Sequence, residues 1–190
     1  MQINAQNSRS VSDEVRKLSC ERHIDVIAMQ EPYTFQGGST GMGITTKIIT
    51  DTKSFSKVRT AGKIKAAIVI FNKNMDILKI EQFCNTHLVC VEIKFEKTRL
   101  YMISAYFQHC ESIEPYLRHL SMILNSLQGH PIVICLDANA KSNTWHSKHT
   151  DPKGEALEEL ISQYQLHILN TDNELPLIIS MIKKISTSLS

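Results

Sequence analysis

Residues 133–147 read VICLDANAKSNTWHS, and this stretch decides which architecture the chain can adopt. It begins within an apolar run, Ile132 to Leu136, whose composition is typical of a buried strand. The run ends in Asp137, and Asn139 follows two residues later. Side chains two apart on an extended chain point to the same side. A carboxylate and a carboxamide therefore leave the end of a buried strand together, a pair that suits a hard cation and a phosphate.

The composition of the 190 residues indicates one globular domain with a sizeable core, since 42% are hydrophobic and 21% charged. The formal net charge of +2 neither requires nor excludes a nucleic-acid partner, because a local basic face can lie within a balanced total. No apolar run approaches the roughly 20 residues that span a bilayer. The N-terminus lacks the cationic start and apolar core of a signal peptide. We therefore expect an intracellular protein without a membrane partner.

The cysteines give no sign of a disulfide framework or a zinc site. There are five of them, an odd number, and their spacing shows no pairs. Most lie in apolar stretches, so we expect buried free thiols in a reducing compartment.

The remaining sequence alternates between strand-like and helix-like segments. Strands are expected over residues 2–4, 24–29, 65–71, 87–95, 100–107, 132–136 and 166–170, and helices over 10–22, 112–127 and 153–164. Ser10 or Ser12 is expected to cap the first helix, and Asp151-Pro152 to open the third. Residues 33–43 are rich in glycine and predict a loop. The mixture of early hairpins and amphipathic helices predicts an α/β sandwich with sheets inside and helices outside.

Polar side chains follow several of the predicted strands. Asn4, Glu31, Asp137 and Asn139 lie at or just beyond strand ends, and Tyr106 ends a fifth segment. Ligands in layered α/β folds collect at such ends. Glu31 and Asp137 would supply the one or two carboxylates that magnesium prefers. The two asparagines would hold phosphate oxygens as neutral donors.

At this point the chain resembles the endonuclease domain of non-LTR retrotransposons, within the endonuclease/exonuclease/phosphatase superfamily. The matching motifs are Gln2-Ile3-Asn4, IAMQEPY at 27–33, Ser104-Ala105-Tyr106, LDANAKS at 136–142 with Trp145-His146, residues 154–157 and Leu169-Asn170. The resemblance covers residues 1–172, and it implies two packed, mainly antiparallel sheets flanked by helices. Residues 173–190 form a tail that does not match.

The resemblance also implies an activity: nicking of target DNA with a divalent metal, Mg²⁺ or Mn²⁺. Carried over by motif, Asn4 and Glu31 match the first two catalytic motifs, and Tyr106 matches the tyrosine that contacts the scissile phosphate. Asp137 matches the residue that activates or positions the attacking water, and Asn139 its phosphate-binding neighbour. Glu31 and Asp137 are the implied metal ligands. An intact element would carry a reverse transcriptase domain on the same polyprotein and would act in the nucleus.

The sequence departs from this family at its end and, mildly, at Leu136, where the family commonly has glycine. The family closes with a Ser-Asp-His motif, but no histidine follows His167 and no aspartate follows Asp172. The tail is therefore expected to be truncated or out of frame, and the activity impaired. The alternative is a catalytically inactive relic with weak nucleic-acid or metal binding at most; phosphatase chemistry on small phosphoesters is less favoured. His146 and His149 follow the Asp-Asn pair, but we do not favour the role of a replacement base for them.

Overall fold

The computed structural model describes residues 1–33, 47–50, 64–95, 98–170 and 178–183. Within these ranges the chain forms two β-sheets and three α-helices. The strands are β1 (Gln2–Asn4), β2 (Val26–Gln30), β3 (Lys47–Ile49), β4 (Ala66–Ile70), β5 (Asp76–Lys79), β6 (Leu88–Phe95), β7 (Thr98–Tyr106), β8 (Ile132–Asp137), β9 (His167–Ile168) and β10 (Ile178–Lys183). The helices are α1 (Arg9–Glu21), α2 (Glu114–Ser126) and α3 (Pro152–Gln163).

The two sheets are mixed but mainly antiparallel. The smaller sheet has the strand order β1-β2-β4-β3, and the larger one has the order β5-β6-β7-β8-β10-β9. Only two of the pairings among the described strands are parallel, β1 with β2 and β7 with β8. The predicted α/β sandwich of two mainly antiparallel sheets is therefore confirmed.

The apolar residues form three clusters that define the layers. One cluster fills the space between the larger sheet and helices α2 and α3, and includes Leu120, Ile134 and Trp145. A second lies between the sheets, where β4 and β6 contribute most of its members. The third packs α1 against the smaller sheet through Val15. Trp145 is fully buried, and its indole Nε1 donates to the Ala140 carbonyl at 3.1 Å.

Most predicted elements are present, with shifts of one or two residues at their ends. Strands β3 and β5 were not predicted, because each is short and neither shows a clear alternating pattern. The cap of α1 is also different from the prediction: Ser8, not Ser10 or Ser12, accepts a hydrogen bond from the Val11 amide. Asp151 caps α3 as predicted. The predicted loop over residues 33–43 lies outside the described residues beyond Tyr33.

The thiols are free, as expected, but they are not mostly buried. Cys90 and Cys135 are buried, Cys84 is half-buried, and Cys20 and Cys110 are exposed. Cys20 lies on the solvent-facing side of the amphipathic helix α1, which explains its exposure. Among the described residues, no helix is both long and apolar enough to cross a membrane.

Strand β10, which lies in the tail, covers one edge of β8. It pairs antiparallel with the whole of β8, with Ile178 opposite Asp137 and Lys183 opposite Ile132. Its far side pairs with β9. Strand β8, which carries the Asp-Ala-Asn motif, is therefore an interior strand with hydrogen-bonding partners on both sides.

The charged cluster at Glu92 makes the stability of the larger sheet sensitive to acid. Glu92 is only 6% exposed and accepts a 2.8 Å hydrogen bond from the Tyr101 hydroxyl, while Lys94 and Arg99 lie within 3.4 and 3.6 Å. The Tyr101 hydrogen bond, aided by the two cations, lowers the Glu92 pKa despite burial. A lowered pKa stabilises the fold above the unfolded-state pKa, and this contribution is lost as pH falls through the folded-state value.

We therefore expect Glu92→Gln to flatten the fall in the free energy of unfolding below about pH 5. Urea titrations of the parent and the variant at several pH values measure this slope. Exposed Glu155→Gln on α3 serves as the control. Equal slopes for the parent and Glu92→Gln would contradict the assignment.

Candidate active site

The five predicted site residues lie at one end of the two packed sheets. The two parallel pairings set this arrangement, because parallel neighbours finish at the same edge. Asn4 ends β1 opposite Gln30 of β2, so Glu31 follows immediately beside it. Tyr106 ends β7 opposite Asp137, the last residue of β8.

A direct hydrogen bond joins the two sheets at this end. Asn4 Nδ2 donates to Asp137 Oδ2 at 2.5 Å, across 133 positions of sequence. The Asn4 Oδ1 atom accepts from the Gln6 amide at 2.7 Å, which fixes the orientation of the carboxamide. Asn4 therefore orients the Asp137 carboxylate. The sequence had instead suggested that this carboxamide contacts a phosphate.

Asp137 is 4% exposed, and burial raises its pKa above the ordinary value. Hydrogen bonds from Asn4 and from the backbone amide of Asn139 act in the opposite direction, and the Glu31 charge adds to the rise. The Asn139 amide lies 3.2 Å from Asp137 Oδ1. The carboxylate is thus held on both oxygens and has an increased proton affinity.

Asn139 is held by the strand next to its own. Its Nδ2 atom donates to the Phe107 carbonyl at 2.9 Å, and the Phe107 amide donates to the Asp137 carbonyl at 2.9 Å. Its backbone has a φ of 46°, a left-handed value that asparagine tolerates better than most residues. The Asp-Ala-Asn turn is therefore locked to the end of β7.

Glu31 has a strained backbone that its neighbours hold in place. Its φ is 44°, a conformation that costs a non-glycine residue about 1–3 kcal/mol. Its amide donates to the Lys65 carbonyl at 2.8 Å, and its carbonyl accepts from the Asn7 amide at 2.8 Å. Burial alone would raise the Glu31 pKa, but the Lys65 ammonium and hydrogen bonds from Asn4 and Asn7 lower it overall. Glu31 is thus held as a carboxylate directed at the site.

Lys65 is a site residue that the sequence analysis missed. Its ammonium lies 2.8 Å from Glu31 Oε1 and 4.9 Å from the centre of the Tyr106 ring. Strand β4 runs antiparallel to β2 with Ala66 opposite Gln30, so the residue before β4 lies beside the residue after β2. The available signal was a lysine at the start of an apolar segment, but placing it in the site required the pairing of β2 with β4.

Tyr106 connects the two carboxylates electrostatically. Burial is the main cause that raises the pKa of the Tyr106 phenol, and the Glu31 and Asp137 charges raise this pKa further. A hydrogen bond with the Asn139 side chain acts in the opposite direction. The phenol is therefore kept neutral and can act as a hydrogen-bond donor. Because both carboxylates act on the Tyr106 phenol, and Glu31 also acts on Asp137, the three groups lie in one site.

Behind the site, Gln30 joins the two sheets through their interior. It is fully buried, and its Nε2 donates to Ser104 Oγ and to the Cys135 carbonyl, each at 3.1 Å. The Ser104 hydroxyl donates in turn to the Met29 carbonyl at 3.3 Å. This polar bridge, also missed from sequence, lies directly behind Glu31 and sets the spacing of the sheets there.

The loop after Asn139 is packed tightly onto helix α3. A Cβ atom on Gly154 would lie 1.9 Å from the Lys141 carbonyl oxygen and 2.8 Å from its carbon. The Asp151 amide donates to the same Lys141 carbonyl at 3.0 Å. His146 and His149, which follow in this loop, are both exposed.

Gly154→Ala is therefore expected to destabilise the protein by about 1–3 kcal/mol, the usual cost of overpacking. In an unobstructed helix the same change would stabilise by roughly 1 kcal/mol, so the sign tests the contact. Chemical denaturation measures the difference, with exposed Ser162→Ala on the same helix as the control. If Gly154→Ala were more stable than the parent, the backbone at Lys141 would have to move away from the added methyl group at little cost.

The donor set fits a hard divalent cation. Glu31, Asp137, Asn4 and Asn139 offer oxygen donors only, the pattern that Mg²⁺ and Mn²⁺ favour over thiolates or imidazoles. The Glu31 carboxylate already accepts one cation, the Lys65 ammonium. Among the described residues there is no group of three or more His, Cys, Asp or Glu side chains able to hold a metal. A cation here would rely on few protein ligands, as Mg²⁺ commonly does.

Comparisons with known proteins agree with this fold. Residues 100–186 match the family described as endonuclease-reverse transcriptase, a range that takes in β10. A putative 115 kDa protein of the R1DM type-1 retrotransposable element from Drosophila melanogaster is 29% identical over 126 residues, 62% of this chain. A Pol polyprotein of the R1 element from Bradysia coprophila is 29% identical over 117 residues, 57% of this chain. Each alignment spans only 12% of the relative's own length.

Solved structures share the fold over nearly the whole chain. The endonuclease domain of TRAS1, a telomere-specific non-LTR retrotransposon, superposes with a TM-score of 0.82 at 24% identity, covering 96% of this chain and 84% of that one. An AP endonuclease from Leishmania major gives a TM-score of 0.65 at 7% identity, covering 96% and 78%. The chain is therefore similar in sequence to proteins of type-1 retrotransposable elements, and it shares the fold of the TRAS1 endonuclease domain.

Proposed function

We propose that this domain nicks DNA by hydrolysing a phosphodiester bond with the help of Mg²⁺ or Mn²⁺. The observation that carries the proposal is the 2.5 Å hydrogen bond between Asn4 and Asp137, which joins the two sheets where Glu31 and Tyr106 also lie. Four chain segments remote in sequence thus deliver carboxylate, carboxamide and phenol groups to one place. The TRAS1 domain with the same fold is an endonuclease.

Each side chain has a chemical role that follows from its surroundings. Asp137, with a raised pKa and both oxygens held, accepts a proton from the attacking water. Tyr106, a neutral phenol, donates a hydrogen bond to a phosphate oxygen, and Asn139 lies beside it as a neutral amide donor. Glu31 remains ionised and, with Asp137, would hold the cation. The bound cation would offset charge on the scissile phosphate and on the leaving oxygen.

The activity of this chain is expected to be weak. The family's final Ser-Asp-His motif has no counterpart within the 190 residues tested, in which no histidine follows His167 and no aspartate follows Asp172. General acid-base assistance is typically worth about 10²- to 10⁴-fold in rate. The alternative is an inactive relic that retains weak metal or DNA binding at most.

The substrate and its setting follow from the same relationship. The backbone phosphates of double-stranded target DNA are the proposed partner, and the nucleus is the proposed place of action. The Bradysia relative is a Pol polyprotein, so we propose a reverse transcriptase on the same polyprotein in an intact element.

A supercoiled-plasmid assay tests the proposal. The purified chain, at high concentration and over long incubations, should convert supercoiled plasmid to the open-circular form with Mg²⁺ or Mn²⁺ and not with EDTA. No conversion above the protein-free control would favour the inactive relic. Conversion that persists in EDTA would contradict the metal-dependent mechanism.

A further inference from the structure

The backbone of Lys65 is fixed beside that of Glu31. Its carbonyl accepts from the Glu31 amide at 2.8 Å, and its amide donates to the Thr86 carbonyl at 2.9 Å. The next residue, His87, accepts at its carbonyl from the Tyr106 amide at 2.9 Å. Segment 86–87 therefore holds Lys65 and Tyr106 at a fixed separation, with Glu31 on the other side of the lysine.

The Lys65 side chain is turned into the site instead of into water. Its side chain is 18% exposed and that of Glu31 is 16% exposed. The ammonium lies 2.8 Å from Glu31 Oε1 and 4.9 Å from the centre of the Tyr106 ring, within the range of a cation–π contact. Asn7 Nδ2 approaches the same carboxylate oxygen at 3.4 Å. The cationic position next to Glu31 is thus filled by the protein itself.

We propose that Lys65 is the resident cation of the site, holding the Glu31 carboxylate until a divalent ion binds and then releasing it. The inference rests on the proposed function, since it requires that Glu31 bind such an ion. Two cations at one half-buried carboxylate repel each other strongly, because the surroundings screen them poorly. Without any cation, the strained Glu31 would be a poorly solvated charge near Asp137. Lys65 is a positioning residue. It holds the Glu31 carboxylate in place before a divalent ion binds, and it competes with that ion for the carboxylate.

Metal binding without DNA tests this competition. Isothermal titration calorimetry with Mn²⁺, on the full 190-residue chain, should show about tenfold tighter binding to Lys65→Met than to the parent, equivalent to about 1.4 kcal/mol. Lys79→Met is the matched control. It removes a lysine from the edge strand β5, where the Lys79 ammonium lies 3.0 Å from the Glu81 carboxylate. Its affinity for Mn²⁺ should equal that of the parent. Glu31→Gln should weaken binding.

A second measurement separates competition from a purely structural role. A structural lysine would lower the melting temperature equally with and without Mn²⁺. Competition predicts that Lys65→Met is less stable than the parent without metal but gains more from added Mn²⁺, since at equal concentration a ligand that binds more tightly stabilises the folded state more. Lys65→Gln, which can still donate to Glu31, replaces Lys65→Met if that variant does not fold.

The outcomes distinguish the two proposals. Unchanged or weaker Mn²⁺ binding by the neutral Lys65 variants, while Glu31→Gln loses binding, would overturn the competition and leave the metal site intact. Absence of Mn²⁺ binding by the parent would overturn both. Tighter binding by Lys65→Met together with a larger thermal shift would support the competition.

Discussion

Asp137→Asn is expected to lower the plasmid-nicking rate of this domain at least about 100-fold, to the level of the protein-free control. Removing a general base typically costs about 10²- to 10⁴-fold, and this substitution also removes one of the two carboxylates proposed to hold the cation. Asparagine has nearly the same shape, so the packing at the end of β8 is retained. The measurement is the initial rate of open-circle formation with Mg²⁺.

The stability of the same variant provides the internal control. Burial and the Glu31 charge raise the Asp137 pKa, which means that the fold disfavours the ionised form. A raised pKa contributes stability at low pH that is lost as pH rises through the folded-state value. Asp137→Asn removes the cost of burying this charge but leaves one acceptor oxygen for the two N–H donors of Asn4 and Asn139. We therefore expect a melting temperature close to that of the parent at neutral pH, and this measurement shows whether the loss of activity comes from unfolding.

Exposed Asp13→Asn on α1 should nick at the parental rate. Parental activity in Asp137→Asn would mean that the nicking comes from another site or from a contaminating nuclease. A marked drop in the melting temperature of Asp137→Asn would instead show that the carboxylate is mainly a structural partner of Asn4.

The positions of the site residues could be predicted because they lie where strands end. Asp137 and Asn139 follow a recognisable apolar run, and Glu31 precedes a proline that stops β2. Strand ends are local features, read from hydrophobicity and from breakers such as proline. That these ends meet depends on the parallel pairings of β1 with β2 and of β7 with β8, and for this the resemblance to a known family was needed.

What escaped prediction depends on contacts between distant segments. Lys65 enters the site only because β4 is antiparallel to β2, and a lysine before an apolar strand is usually a solvated end. Strand β10 came from a tail without turn signals, so its pairing with β8 had no local indication. The left-handed backbone of Glu31 arises from the Lys65 and Asn7 backbone hydrogen bonds and not from its own residue type.

Gln30→Ala is expected to produce the largest loss of stability, about 2–4 kcal/mol in the free energy of unfolding. The side chain is fully buried between the sheets, so its removal leaves a cavity and deprives Ser104 and the Cys135 carbonyl of a hydrogen-bond donor. Cavities and unsatisfied buried polar groups are among the few causes of losses this large. Urea denaturation followed by circular dichroism measures the change.

Two further variants separate packing from hydrogen bonding at Gln30. Gln30→Met keeps most of the volume and removes only the polar contacts, so it should cost about 1–3 kcal/mol, the usual penalty for unpaired buried groups. Gln163→Ala, at an exposed position on α3, should stay within about 0.5 kcal/mol of the parent. A loss below about 1 kcal/mol in both Gln30 variants would contradict the bridge. Because Glu31 follows Gln30 directly, a real bridge also predicts that Gln30→Met binds Mn²⁺ more weakly than the parent, as the sheets lose their fixed spacing behind the carboxylates.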